Sequence, residues 1–192
     1  MRSLSALATA LMMAAVPLTA ATAAPVPAQQ PTQDVRGARD HPDLPRLDGA
    51  RIRAWRQLSV AEITLPTGAV SDSAAPASAL RLQGQINHLD YAVRPAIPPG
   101  DMARHYEEAL REGGYETVFA CTGISRCGGG MGALILLSDQ TAPAGFADGV
   151  FTDQLRVIVA RKGSTWVLLH MTRGPDRSLV YQAVIEGARE LD

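Results

Sequence analysis

Cysteine is scarce in this 192-residue chain: there are two, which excludes the disulfide-dense mini-scaffolds that replace a core with cross-links. Aromatic residues make up only 5%, and charged residues only 19%, with a formal net charge of −1. So little excess charge excludes a nucleic-acid binder held by its electrostatic field. Lysine is nearly missing, Lys162 being the only one among 18 cations, a mark of a GC-rich coding sequence with little functional weight. Ala133 to Leu137 falls far short of the roughly 20 apolar residues a bilayer span needs. What is present is a hydrophobic content of 46%, too high for a disordered chain, in a length that suits one domain with a short appendage.

The first 24 residues read as an address. Arg2 supplies a positive start, Leu4 to Leu18 is uncharged and apolar, and Ala21-Thr22-Ala23 is a small-residue cleavage site. This predicts a signal peptide over 1–24 and export to the periplasm. The competing reading, an uncleaved anchor, is weakened by the alanine-rich middle and the lack of a following basic cluster. No cysteine lies near the cleavage region to carry a lipid. Residues 25–38, rich in proline, glutamine, alanine and threonine at their start, are expected to be a disordered leader, and 39–192 a single domain.

Within that domain the pattern is mostly strand-like. Ile52 and Ala54 alternate with Arg51, Arg53 and Trp55, and Ala61, Ile63 and Leu65 share a face. Leu80, Leu82 and Ile86 have one parity and Leu89, Tyr91 and Val93 the other, which predicts a bulge or kink near Asn87-His88. Met102, Tyr106, Ala109, Leu110 and Gly113 fall on one helical face after Pro98-Pro99, and Gly113-Gly114 closes the helix. Strands are expected at Tyr115–Ala120, Leu155–Arg161 and Thr165–Thr172, the last two joined by a tight turn at Lys162-Gly163. Leu179–Leu191 fits a helix and a strand equally well. Thr67–Ser78 and Asp139–Gly149 read as loops. The expected fold is α+β, mainly an antiparallel sheet with one or two helices packed on one face.

Cys121 and Cys127 enclose five residues, and in an oxidising compartment the expectation is a structural disulfide that pins a turn. Its worth in the chain-entropy picture is roughly 2 kcal/mol. A redox pair, a metal ligand set or a nucleophile are the functional alternatives, although redox sites usually use the tighter C-x-x-C spacing. His41, His88, His105 and His170 are scattered and form no zinc spacing, so no metal and no cofactor is expected. His88 and Asp90 share a strand face and form a candidate acid/base pair, with ordinary polar residues at a kink as the plainer account. Gly128-Gly129-Gly130-Met131-Gly132 lacks the Lys-Ser/Thr ending of a phosphate loop and is expected to be a flexible loop, and no G-x-S-x-G elbow is present. Six arginines stand among four acids between Asp34 and Arg56, a mix that reads as a solvated surface with internal ion pairs or as a face for an anionic partner.

Several segments together resemble a known family. Asp40-His41-Pro42 with Arg46 and Gly49, then Leu65-Pro66-Thr67-Gly68, are similar to the start of a proteobacterial envelope domain of unknown function that often precedes a C-terminal OmpA-like domain. Arg104-His105-Tyr106-Glu107-Glu108-Ala109-Leu110, Gly113-Gly114-Tyr115-Glu116, and Phe119, Cys121 and Cys127-Gly128-Gly129 continue the likeness, which spans about residues 34–190. No OmpA-like segment follows, so its peptidoglycan-binding activity is not carried over. The resemblance implies a strand over Val180–Glu186 and supplies no catalytic residues. The resulting expectation is a non-enzymatic periplasmic domain that binds or scaffolds an envelope component: a protein, a lipid headgroup or something peptidoglycan-associated. Association with the outer membrane is a further expectation, and a hydrolytic or thiol-dependent enzyme is the alternative. A binding surface is expected between Asp40, His41 and Arg46 on one loop and Gly128 and Gly129 on another.

Overall fold

The computed structural model describes residues 33–146 and 153–192. The signal peptide expected over 1–24 lies outside them. Six strands, β1 (Ala50–Pro66), β2 (Ala79–Val93), β3 (Glu116–Thr122), β4 (Leu155–Lys162), β5 (Thr165–Arg173) and β6 (Ser178–Glu190), form one sheet in the order β1-β2-β6-β5-β4-β3. Every neighbouring pair is antiparallel. Three helices, α1 (Pro99–Glu112), α2 (Gly123–Cys127) and α3 (Met131–Leu137), complete the α+β fold.

The helices cover both faces of the sheet, where one covered face was expected. Met102, Ala103, Tyr106 and Leu110 of α1 pack with Leu89, Tyr91, Ile158, Val167, Val180 and Val184. On the opposite face Cys127, Met131, Leu134 and Ile135 pack with Leu82, Ile86, Val157, Val159, Leu168 and Tyr181. Successive strand side chains point to opposite faces, so a centrally placed strand between two cores is apolar at every position. That accounts for the double periodicity of residues 179–191: Val180 and Val184 enter the α1 core, and Tyr181, Ala183 and Ile185 the α3 core.

The same fact overturns the kink expected at Asn87-His88. β2 keeps an unbroken register from Gln85 to Val93 against β6. Its even positions Leu82 and Ile86 face the α3 core and its odd positions Leu89, Tyr91 and Val93 the α1 core. The irregularities lie in its neighbours. β1 shifts register between Ile52 and Ala54 and again between Leu58 and Ala61. The first shift sends Ile52 to one core and lets Ala54 pack on the other, although the two share a parity. β6 carries an extra residue opposite Gly84, where Gly187 takes φ +59°, the left-handed value of a glycine bulge. A Cβ on Gly84 would lie 2.7 Å from the Glu186 carbonyl oxygen, so the strand beside that bulge has no room for a side chain.

α1 runs between the expected stops. The Gly113 amide donates to Ala109 at 2.8 Å, Gly114 takes φ +77°, and the Tyr115 amide reaches back to Leu110 at 2.9 Å, closing the helix. Lys162 pairs with Thr165, so the two turn residues are Gly163 and Ser164. The segment read as a leader is part of the fold in its last residues. The Val35 amide donates to the Ile52 carbonyl at 3.0 Å, and Val35 and Ala38 pack on the α1 core.

Candidate functional site

Polar side chains gather in four groupings among the described residues. Asp40 and Arg46 meet, but as a clamp inside the fold. Arg46 donates through Nε to both oxygens of Asp40 at 2.9 and 2.8 Å and through Nη1 to Asp34 at 2.7 Å. Asp34 in turn accepts the Ile52 amide, and Asp40 accepts the Tyr91 hydroxyl, each at 2.9 Å. Burial favours the neutral Asp34 carboxyl, but the Ile52 amide and the Arg46 guanidinium outweigh it and hold the group below the usual carboxylate range. For Tyr91, burial followed by the Asp40 charge raises the hydroxyl far above its ordinary value, so it remains a donor. His41 is likewise turned inward: its Nδ1 accepts the Asp43 amide at 3.3 Å, and Nε2 lies 3.8 Å from Glu186. The charged N-terminal stretch therefore fastens residues 34–49 to the sheet.

Gly128 and Gly129 lie on the other side of the sheet. Leu44 and Leu47 belong to the α1 core, whereas Cys121 and Cys127 belong to the α3 core, so the expected groove between these loops does not form. Cys121 and Cys127 are bonded to each other, with an S–S distance of 2.03 Å, and both are buried. The glycine loop is held rather than flexible. Gly130 donates to the Val70 carbonyl and Val70 to that of Cys127, each at 2.8 Å, and Val70 is buried. The Thr67–Ser78 loop is thus docked by its valine onto the disulfide turn.

His88 and Asp90 do share a face, and the structure adds partners invisible in the sequence. Asp90, Tyr181 and His170 stand side by side across β2, β6 and β5, all directed to the α3 core. The Tyr181 hydroxyl donates to the Thr141 carbonyl at 3.1 Å and lies 2.8 Å from Nδ1 of His88, and Asp90 is paired with Arg53. Burial, with the Arg56 charge behind it, pushes His88 down to about 4, and burial alone takes His170 to about 4. Burial and then the Asp90 charge push Tyr181 well upward. A neutral imidazole of such low basicity is a poor general base at neutral pH, and His88 and Asp90 are only 2% and 1% exposed. The cluster binds the sheet to the Thr141 segment.

The fourth grouping was not singled out from the sequence. Past the reach of the α1 core, the same face of β1, β2 and β6 carries a ladder of polar side chains. Gln57 is paired with Asn87, Glu62 with Gln83, and Gln83 with Arg189 across the strands. The Trp55 Nε1 donates to Asn87 Oδ1 at 2.9 Å, the Arg189 Nε to Gln83 Oε1 at 3.1 Å, Gln85 Nε2 to Glu186 at 3.4 Å, and Arg81 to Glu62 at 2.8 Å. Gln57, Glu62, Arg81, Gln85, Glu186 and Arg189 are exposed, and Trp55, Gln83 and Asn87 half-buried. Where the β1 and β6 irregularities flank Gly84, they enclose a cleft of about 300 Å³ bordered by Ser59, Val60, Gln83, Gln85, Glu186 and Arg189. The amides at alternate positions 83, 85 and 87 are the signal that could have found this face, since an alternating run of amides on a long strand marks a solvated sheet surface.

Among the described residues no group of three or more histidines, cysteines, aspartates or glutamates is placed to hold a metal ion. No helix of the described residues is long and apolar enough to cross a membrane. No protein-family model matches the chain, and no curated protein matches it.

Proposed function

We propose that the protein is an exported domain of the cell envelope that acts by binding an envelope component, with the polar face of β1, β2 and β6 as its contact surface. The observation that carries this reading is a division of labour among polar groups. Those with chemical potential are buried and bonded to one another, as in the His88–Tyr181 cluster and the Cys121–Cys127 disulfide. Those that meet solvent in a continuous array are amides and balanced ion pairs on a sheet, a surface suited to contact rather than turnover. The buried disulfide fits an oxidising compartment, and the apolar first segment with its A-x-A site fits export to the periplasm. The resemblance of residues 34–190 to an envelope domain points the same way.

The test is to produce the full chain in a Gram-negative host, release the periplasm by osmotic shock, and measure intact mass and thiol alkylation with and without reductant. A shortened chain in the shock fluid with both sulfurs blocked until reduction supports the proposal. A full-length chain in the cytosol with two alkylated thiols overturns it.

A further inference from the structure

Resting on that reading, we infer that the polar face takes an uncharged saccharide chain, lying along β2 with one residue seated in the cleft beside Gly84. The face carries Glu62 and Glu186 against Arg81 and Arg189, so its formal charges cancel and it offers no field to a nucleic acid, an anionic polysaccharide or an anionic lipid surface. Val60, 73% exposed, is the one large hydrophobic residue that the described part of this face leaves open. A protein interface of useful affinity is built on a buried apolar or aromatic cluster, and a single valine on the rim of a polar ladder does not supply one.

What the face does supply is amide groups, each with a donor end and an acceptor end, and this is the chemistry that matches sugar hydroxyls and N-acetyl groups. One end of each central amide is already fixed: the Gln83 oxygen by Arg189, the Gln85 nitrogen by Glu186, and the Asn87 oxygen by Trp55. The opposite ends remain to bond a ligand, and they are held in place by those bonds, which lowers the ordering cost of binding. Alternate residues on β2 repeat at about 7 Å along the strand, so positions 83, 85 and 87 offer a regular series of contacts to a regular polymer. Trp55, oriented by its bond to Asn87 and packed in part on the α1 core, stands at the end of that series, and the half of it that meets solvent is an amphipathic surface of the kind that packs against the apolar face of a pyranose. The cleft exists because Gly84 has no side chain and the strands on both sides bulge around it, which opens a recess in the sheet at this point.

The test is a fluorescence titration of the full exported chain with an N-acetylglucosamine hexamer, a neutral glucose hexamer and an anionic uronate oligomer. Trp55 reports on the face, because the only other tryptophan, Trp166, is 5% exposed in the α3 core. The expected result is a saturable change with a neutral hexamer, unaltered by 0.5 M salt. It should weaken about tenfold or more in the Gln83→Ala/Gln85→Ala variant, from the loss of two hydrogen-bonding side chains. Circular dichroism and melting temperature of that variant should match those of the parent. No change with any neutral hexamer, or binding to the uronate oligomer alone that salt abolishes, overturns the inference. A photo-crosslinker at Gln57 in whole cells separates this failure from that of the contact reading. A cross-linked polypeptide would sink the saccharide while leaving the contact surface in place. A chain recovered from the cytosol would sink the contact reading itself.

Discussion

Nδ1 of His88 and the hydroxyl of Tyr181 lie 2.8 Å apart on neighbouring strands, and the same hydroxyl donates to Thr141 in the segment that follows α3. Burial, with the Arg56 charge behind it, keeps that imidazole neutral, and a second buried imidazole, His170, stands beside Tyr181 on β5.

Acid should therefore destabilise the fold over a defined window. Both histidines have folded values of about 4 against an ordinary 6.5, so between these limits the unfolded chain takes up a proton at each that the folded chain refuses. Their contribution to stability is fully present above 6.5 and is lost as pH falls toward 4. Urea denaturation from pH 7.5 to 4.5 should show a falling midpoint with an unchanged slope in urea, and His88→Gln should make that fall shallower. A midpoint that is flat over this range would refute the assignment.

Arg46 should matter for stability rather than for any exposed contact. Its removal in Arg46→Ala leaves Asp34 and Asp40 without their shared cation, at an expected cost of about 2 kcal/mol. A larger figure is not expected, because the three side chains keep 24%, 32% and 34% exposure and solvent screens them. Arg46→Lys should recover little of the loss, because a point charge cannot engage both carboxylates through a planar fork. Chemical denaturation of the two variants measures both effects.

The adjacent glycines of the disulfide turn should respond in opposite ways to alanine. Gly128 has φ +87°, and a Cβ there would lie 2.2 Å from the Val70 carbonyl oxygen. Gly128→Ala must then push out the Thr67–Ser78 loop, with a loss of about 3 kcal/mol or more. A Cβ at Gly129 meets nothing within 4 Å, so Gly129→Ala should stay within about 0.5 kcal/mol of the parent. Thermal melts of the pair decide the point.

Opening the Cys121–Cys127 bond should cost about 2 kcal/mol, because the closed loop is short. For a domain of this size that corresponds to a fall of roughly 4–8 °C in melting temperature. Cys121→Ser/Cys127→Ser and the reduced parent should melt together. If the double variant melts like the oxidised parent, the bond does not stabilise the turn.

The legibility of this chain varied with how local each determinant is. α1 could be read from Pro98 to Gly114, because its apolar stripe and its end signals lie within one stretch of sequence. The Cys121–Cys127 pairing was readable for the same reason. β2 was misread because a parity change within a strand has two causes, a break or a second core, and only the position of α1 and α3 on opposite faces distinguishes them. Asp40 and Arg46 read as members of a binding loop, because their inward direction depends on Tyr91, 51 residues away from Asp40. The amide ladder depends on register between β1, β2 and β6, and Gln85 and Glu186 are 101 residues apart. Pairings at that distance leave no trace in the spacing of residues.

β6 lies between β2 and β5, yet it follows both in the chain. Until residues 178–190 have been synthesised, the β1–β2 hairpin and the β3–β5 meander share no backbone hydrogen bonds within the sheet. A partly made polypeptide consequently holds two unfinished sheet edges facing a vacant slot, and its cooperative closure waits for the final stave. Such late commitment makes loss of the last fifteen residues equivalent to splitting the sheet in two.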